Sequence, residues 1–498
     1  MKRLVALIMT AIIITLPLTG YAQRGSAGFE GGIHKNESDF SKSKLYKEMI
    51  YITGKPTLLQ GEIETKIKDK SITYKYQLYN EDRTIKLTRS LDLERQLNPS
   101  ADNRQVVEVN NMKKYKETID VTEGSNKTKY ELQDYQFHNS TLDDNLPIVT
   151  FSQGNWQGKK TYNINKTEGL VTVGLTGNIY GYDHYWGGTE TQKVRHDISY
   201  TRGTGKDAVS WYGSADMDVS FNRTKRMDYS DNIPNQSSFD GAYTLTERDE
   251  TILKYSYDLP HFTSSGKLHD TYRNRGDGKE YYETVPTQQK MFIPRYQDIK
   301  GHWGEWDIKK LVGIQAIDET KQYFGPNLPT KRSEFAKWLV KSMDLKDEKE
   351  GSTRKATKKK DDKQDLFVDV SKKSPDYDYI KAIKDRGIMY GVGDNRFLPD
   401  GKITRAEVIA IGIRSLGLER LAPNYNFKTP FKDDYNIPVW AKKSVYVANQ
   451  IGLAKGTPEG YIYPNEVMTR AEAAAFINRM IKHIQEDLKY DYREGIIR

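Results

Sequence analysis

The chain writes nearly the same word twice near its C-terminus, ITRAEVIA at 403–410 and MTRAEAAA at 468–475, with a blurred copy, TKRSEFAK, at 330–337. Recurrence on this scale signals repeated supersecondary units, each too small to bury its apolar face alone. Apolar residues around the words follow helical spacing: Ile308, Leu311 and Val312; Phe335, Leu339 and Met343; Ile380 and Ile383; Ile409, Ile413 and Leu416; Val445, Ala448 and Ile451; Phe476, Ile477 and Met480. Three helix–loop–helix repeats are therefore expected over 291–345, 366–421 and 428–484. The stretch 346–365 between the first two holds eight basic and six acidic residues and reads as a solvated linker. Residues 485–498 read as a tail.

Each copy also shares flanking features. An aromatic and an Asp open it: Tyr296 and Asp298, Phe367 and Asp369, Phe431 and Asp433. Trp303 and Trp440 follow in the first and third copies, where the second has Ser374-Pro375. A Gly stands after the first helix in two copies (Gly387, Gly452), suited to a left-handed C-cap, while the first copy has Gln315. Phe324-Gly325-Pro326, Phe397-Leu398-Pro399 and Ile462-Tyr463-Pro464 precede Arg332, Arg405 and Arg470 at equal spacing.

The word has a physical meaning. Thr404 with Glu407, and Thr469 with Glu472, fit a capping box, in which the hydroxyl accepts one orphan amide of the helix start and the carboxylate reaches back to another. The Arg at the first helical position is needed by no cap, and the helix dipole is mildly hostile to a cation there. Two readings follow: the guanidinium and free amides receive an anion, or the Arg bridges to a neighbouring repeat, for example to Asp369 or Asp433. Spacing leaves both open.

Taken together, these features resemble the S-layer homology (SLH) domain. The resemblance covers about two fifths of the chain and recurs three times. It implies a C-terminal all-α pseudo-threefold bundle of three SLH repeats that holds an exported protein to secondary cell-wall polysaccharide, often through a pyruvylated terminal sugar. It further implies binding grooves between repeats that use the motif arginines, the early aspartates (Asp298, Asp369, Asp433) and Trp303 and Trp440. Against this pattern, the first copy lacks its Thr cap and the second its Trp, so one or two competent grooves are expected rather than three equal ones. Each Trp is open to a second reading, core packing.

From about 45 to 290 the period changes to two. Ile72, Tyr74, Tyr76 and Leu78 alternate with Thr73, Lys75 and Gln77; Val171, Val173 and Leu175, then Met217, Val219 and Phe221, and Leu253, Tyr255 and Tyr257 behave alike. Alternation of this kind describes antiparallel strands with one face buried. An all-β region is expected, sandwich-like or extended, with a weak spot near 150–165 that divides it into two modules. The aromatic-rich stretch GYDHYWGGTET (181–191) offers Asp183, His184, Trp186 and Glu190 for a carbohydrate or catalytic site, but reads better as a packed hairpin end. His196, His261 and His269 lack metal-ligand spacing, and no nucleophile or phosphate-loop motif occurs. A noncatalytic spacer, lattice or adhesion module is favoured over a wall-anchored enzyme or carbohydrate-binding module. No cofactor is expected, and self-association into a lattice is compatible with either reading.

At the other end, Met1-Lys2-Arg3, the apolar run Leu4 to Leu18 and Gly20-Tyr21-Ala22 have the form of a secretory signal peptide cut after Ala22. An uncleaved anchor would want a longer apolar run, about 20 residues. Gly/Ser-rich residues 23–44 read as a disordered lead-in. No later stretch reaches transmembrane length. Cysteine is absent, which excludes thiol chemistry and disulfide staples. The net charge of +9 falls by the two charges of Lys2 and Arg3 in the mature form. Mild basicity suits an anionic wall polymer; nucleic acid is a poor fit for an exported chain with dispersed charge.

Overall fold

The computed structural model describes residues 30–35 and 43–488, apart from 103, 204, 206–207, 231–241, 264–266, 292–294, 318–321, 346–365 and 425–426. The expected signal peptide (1–22) and the expected charged linker (346–365) lie outside the described residues.

Among the described residues the N-terminal region is one antiparallel sheet of fourteen strands in almost pure chain order. Its strands are β1 (Ile33–His34), β2 (Ser43–Ile50), β3 (Thr57–Lys68), β4 (Ser71–Tyr79), β5 (Ile85–Pro99), β6 (Gln105–Glu123) and β7 (Asn126–Asn145). They continue as β8 (Thr150–Ile164), β9 (Gly169–His184), β10 (Gly187–Arg202), β11 (Val209–Ser230), β12 (Ala242–Phe262), β13 (Leu268–Glu283) and β14 (Thr287–Met291). Strands this long twist and coil, and the sheet curls into a half-barrel that brings its two ends together. Lys47 on β2 meets Glu280 on β13 at 3.0 Å and lies over the Tyr282 ring. The period-two pattern has its expected consequence: Ile72, Tyr74, Tyr76 and Leu78 are buried, while the residues between them lie nearer solvent. The inward faces form one continuous core.

Three features differ from the sequence expectations. The sheet is a single half-barrel instead of a sandwich, because consecutive hairpins keep every strand beside its chain neighbour. Residues 150–165 are no module boundary, since β8 pairs with β7 and β9 along its whole length. Residues 30–35, within the supposed disordered lead-in, enter the core. Glu30 is 5% exposed and meets Lys160 at 2.5 Å and Arg89 at 3.0 Å. Arg89 also pairs with Glu48 and Glu117 at 2.8 Å each, and Lys160 with Glu117 at 2.7 Å. Gly31-Gly32 is required by this passage, as a Cβ on Gly32 would stand 1.8 Å from the Tyr46 hydroxyl. A low-complexity signature and a deeply packed segment coincide because glycine serves both.

Among the described residues the C-terminal region holds six α-helices: α1 (Glu305–Gly313), α2 (Arg332–Ser342), α3 (Tyr377–Asp385), α4 (Arg405–Leu416), α5 (Val439–Gln450) and α6 (Arg470–Glu486). α6 extends into the expected tail, and Leu488 beyond it is fully buried. The GYDHYWGGTET stretch joins the two regions. The Trp186 indole N–H donates to the Ser342 carbonyl at 2.9 Å, and Leu146, Ile148 and Val149 enter the helical core. That stretch is thus a packed hairpin end.

Candidate functional site

Helix starts come first. The Thr404 and Thr469 hydroxyls accept from the Glu407 and Glu472 amides, and each Glu reaches back to its Thr amide at 2.8 Å. In the blurred copy the Glu half survives alone: the Lys331 amide donates to Glu334 at 3.0 Å.

Each first-position Arg then reaches into the next segment, in a ring. Arg332 donates to the Phe397 carbonyl at 2.8 Å and to Glu407. Arg405 donates to the Ile462 carbonyl at 2.9 Å and to Glu472 at 2.7 Å. Arg470 returns to the first segment, donating to the Phe324 carbonyl and lying 3.6 Å from Glu334. Backbone bonds follow the same circuit: the Ile403 amide donates to the Thr330 carbonyl, the Met468 amide to Ile403 and the Thr330 amide to Met468, at 2.9–3.0 Å. The bridging reading of the arginines holds, but the partner is the cap glutamate of the next segment, not Asp369 or Asp433. A glutamate one helix turn inside its own cap lies closer to the incoming Arg than an Asp committed elsewhere.

Those aspartates are committed to the loop before each Pro. Asp298 accepts from the Phe324 and Gly325 amides, Asp369 from Phe397 and Leu398, and Asp433 from Ile462 and Tyr463, at 2.6–3.0 Å. Burial pushes the Asp369 carboxyl up, yet the two amides outweigh it and hold the group below its usual range. The middle residue of each loop has positive φ: Gly325 (74°), Leu398 (55°) and Tyr463 (50°). Only the first copy uses the residue suited to that conformation. Gln315 adopts φ 59° where Gly387 and Gly452 stand at 66° and 74°.

Exposure separates the arginines. Side chains of Arg332 and Arg470 are 6% and 9% exposed, and that of Arg405 is 20%. Trp303 and Trp440 are more than half exposed, so neither is core packing. Sequence reasoning missed Trp306, half exposed and in edge contact with Tyr229 of the β region; no repeat feature marks it. It also missed a trio of cations on the second helix of each pair. Lys341, Arg414 and Arg479 donate to the carbonyls of Gln315, Ile388 and Leu453, tying the loop after the first helix to the second. His196 is buried beside Arg89 and Lys160 in the β core, far from any ligating role. Among the described residues no group of three or more His, Asp or Glu is placed to hold a metal, and no helix is long and apolar enough to cross a membrane.

The model of the S-layer homology domain matches residues 366–409 and 430–474. The chain is an SLH domain-containing protein of the cell surface, associated with the cell wall. Its relatives include S-layer protein EA1 of Bacillus anthracis, 29% identical over 36% of this chain and 19% of that one. The surface-layer 125 kDa protein of Lysinibacillus sphaericus is 26% identical over 43% and 17%. An endoglucanase of Bacillus sp. (strain KSM-635) is 34% identical over 24% and 12%. The chain thus spans less than a fifth of the length of these relatives. Surface-layer proteins and an enzyme are matched alike, and no catalytic function is shown by such partial likeness.

Proposed function

We propose that residues 291–345, 366–421 and 428–484 are three SLH repeats in a pseudo-threefold bundle, which anchors the chain noncovalently to anionic, pyruvylated secondary cell-wall polysaccharide. The observation that carries this is the ring of arginines, each inserted under the next segment's aromatic-x-Pro loop with a cap glutamate as counter-charge. Of the three, Arg405 keeps enough exposure to meet a ligand carboxylate as well. Arg332 and Arg470 position the loops, and the three aspartates do so by holding loop amides, so their part in binding is indirect. Trp303 and Trp440 offer faces for sugar stacking. One dominant groove, between the second and third segments, follows from this.

The β region serves as a rigid structural, lattice or adhesion module, its orientation set by the Trp186 contact. An anchored enzyme is the second reading, supported only by enzyme-named relatives such as the endoglucanase. Full-length protein should sediment with purified cell-wall sacculi and stay in solution once ketal pyruvate has been stripped. Equal sedimentation with both preparations would refute pyruvate recognition.

A further inference from the structure

At the end of the half-barrel nearest the helices, the inner face changes character. Two cross-strand rows that should continue the apolar core instead read Ser152–Gly181–Glu190–Phe221–Thr251 and Asp183–Gly188–Arg223–Asp249. Gly181 and Gly188 leave the floor without side chains, and a cavity of about 50 Å³ results, with His34 of β1 on its wall. That is room for roughly four waters.

Arg223 and His34 on the cavity wall each carry a polar atom without a partner, and Gln192 lies behind the wall. Arg223 donates through one terminal nitrogen to Asp183 and to the His184 carbonyl, both at 2.7 Å, yet its Nε–H has no acceptor. Gln192, one row deeper and fully buried, donates to Glu190 at 2.7 Å while its Oε1 accepts from nothing. His34 is 4% exposed, its ring tilted against Phe221 with centroids 5.0 Å apart, and its Nδ1 is unpartnered. Burial holds its imidazole down to about 3, so the ring is neutral and can accept as well as donate. Buried groups left this way cost free energy unless something fills the place.

The occupant must both donate and accept at short intervals. A carboxylate cannot donate to the carboxylates of Asp183 and Glu190, and a phosphate would set its negative charges against them; an ammonium cannot accept from Arg223. Vicinal hydroxyls do both, and Phe221 supplies an apolar surface for a ring's C–H face. We propose that this cavity is a second saccharide site, which takes the hydroxyl-bearing edge of a neutral sugar at the end of a glycan and is separate from the anchoring grooves. The side chains of Asp183 and Arg223 are 20% and 14% exposed, so the mouth is reachable.

The test is saturation-transfer NMR on the full-length protein with glucose, galactose, mannose and N-acetylglucosamine as separate probes. Wild type and Arg405→Ala should transfer saturation to at least one sugar equally. Glu190→Gln and Phe221→Ala should lower the transfer at least fivefold, with thermal melts confirming that both variants fold. Transfer to none of the four would overturn the site, leaving a water-filled cavity. So would transfer that survives both cavity variants but disappears in Arg405→Ala. Should Phe221→Ala fail to fold, Glu190→Gln alone decides.

Discussion

Arg405 donates to Glu472 across 2.7 Å, and Glu472 also accepts the Thr469 amide that starts α6. One carboxylate therefore closes its own helix and receives the preceding segment's arginine. Cap and bridge are coupled, which explains why Thr, Arg and Glu recur as a unit.

Breaking the bridge should cost according to burial. Arg332→Ala leaves Glu407 and the Phe397 carbonyl without their buried donor and should destabilise by on the order of 3 kcal/mol. Arg405→Ala, at a more exposed pair, should cost about 1 kcal/mol. Urea melts of the two variants check this; equal losses would contradict the assignment of Arg332 to structure.

The left-handed positions give a prediction of opposite sign. Gln315 is exposed and has φ 59°, so Gln315→Gly should stabilise by about 0.5–1 kcal/mol as αL strain is relieved. Gly452→Ala, with open space around its Cβ but φ 74°, should destabilise by about 1 kcal/mol. Thermal denaturation distinguishes them.

The buried cluster of the β core holds three carboxylates against two cations. Burial raises the Glu30 carboxyl, whereas Glu117, also pushed up by burial, is pulled to about 2 by Arg89 and Lys160. Glu30 is thus the carboxylate whose charge burial disfavours most in this cluster. Glu30→Gln should be nearly neutral, while Glu117→Gln should cost about 3 kcal/mol. Denaturant midpoints of the two variants would contradict this if the order were reversed.

Acid should loosen the β region. His34, His184 and His196 are each held down to about 3, mainly by burial. An unfolded chain takes up these protons near pH 6.5 and the folded one does not, so stability is full above about 6.5 and falls as pH drops toward 3. His196→Phe should flatten that slope in a melting series from pH 7 to 4.

Much of this was legible in local sequence. Period two placed the β core, the capping boxes placed α4 and α6, and Gly387 and Gly452 marked helix ends. What was not legible depends on contacts distant in the chain. Nothing near Glu30 announces Arg89 or Lys160, and Gly-rich sequence reads as loose unless a neighbour such as Tyr46 is known to crowd it. The loop amides that Asp433 accepts lie some thirty residues away, and Trp186, read as part of a packed hairpin end, finds its acceptor in the distant Ser342. Spacing records that residues recur; it does not record which segment each one faces.

The central claim is that Arg405 meets the ligand's carboxylate while Arg332 serves the fold. The most direct measurement is calorimetric titration of full-length protein with soluble pyruvylated wall polysaccharide, comparing wild type with Arg405→Ala. The account predicts at least a tenfold loss of affinity, equivalent to about 1.4 kcal/mol, and no further loss when Arg405→Ala is titrated with depyruvylated polymer. Unchanged affinity in Arg405→Ala, with pyruvate still required, would contradict it.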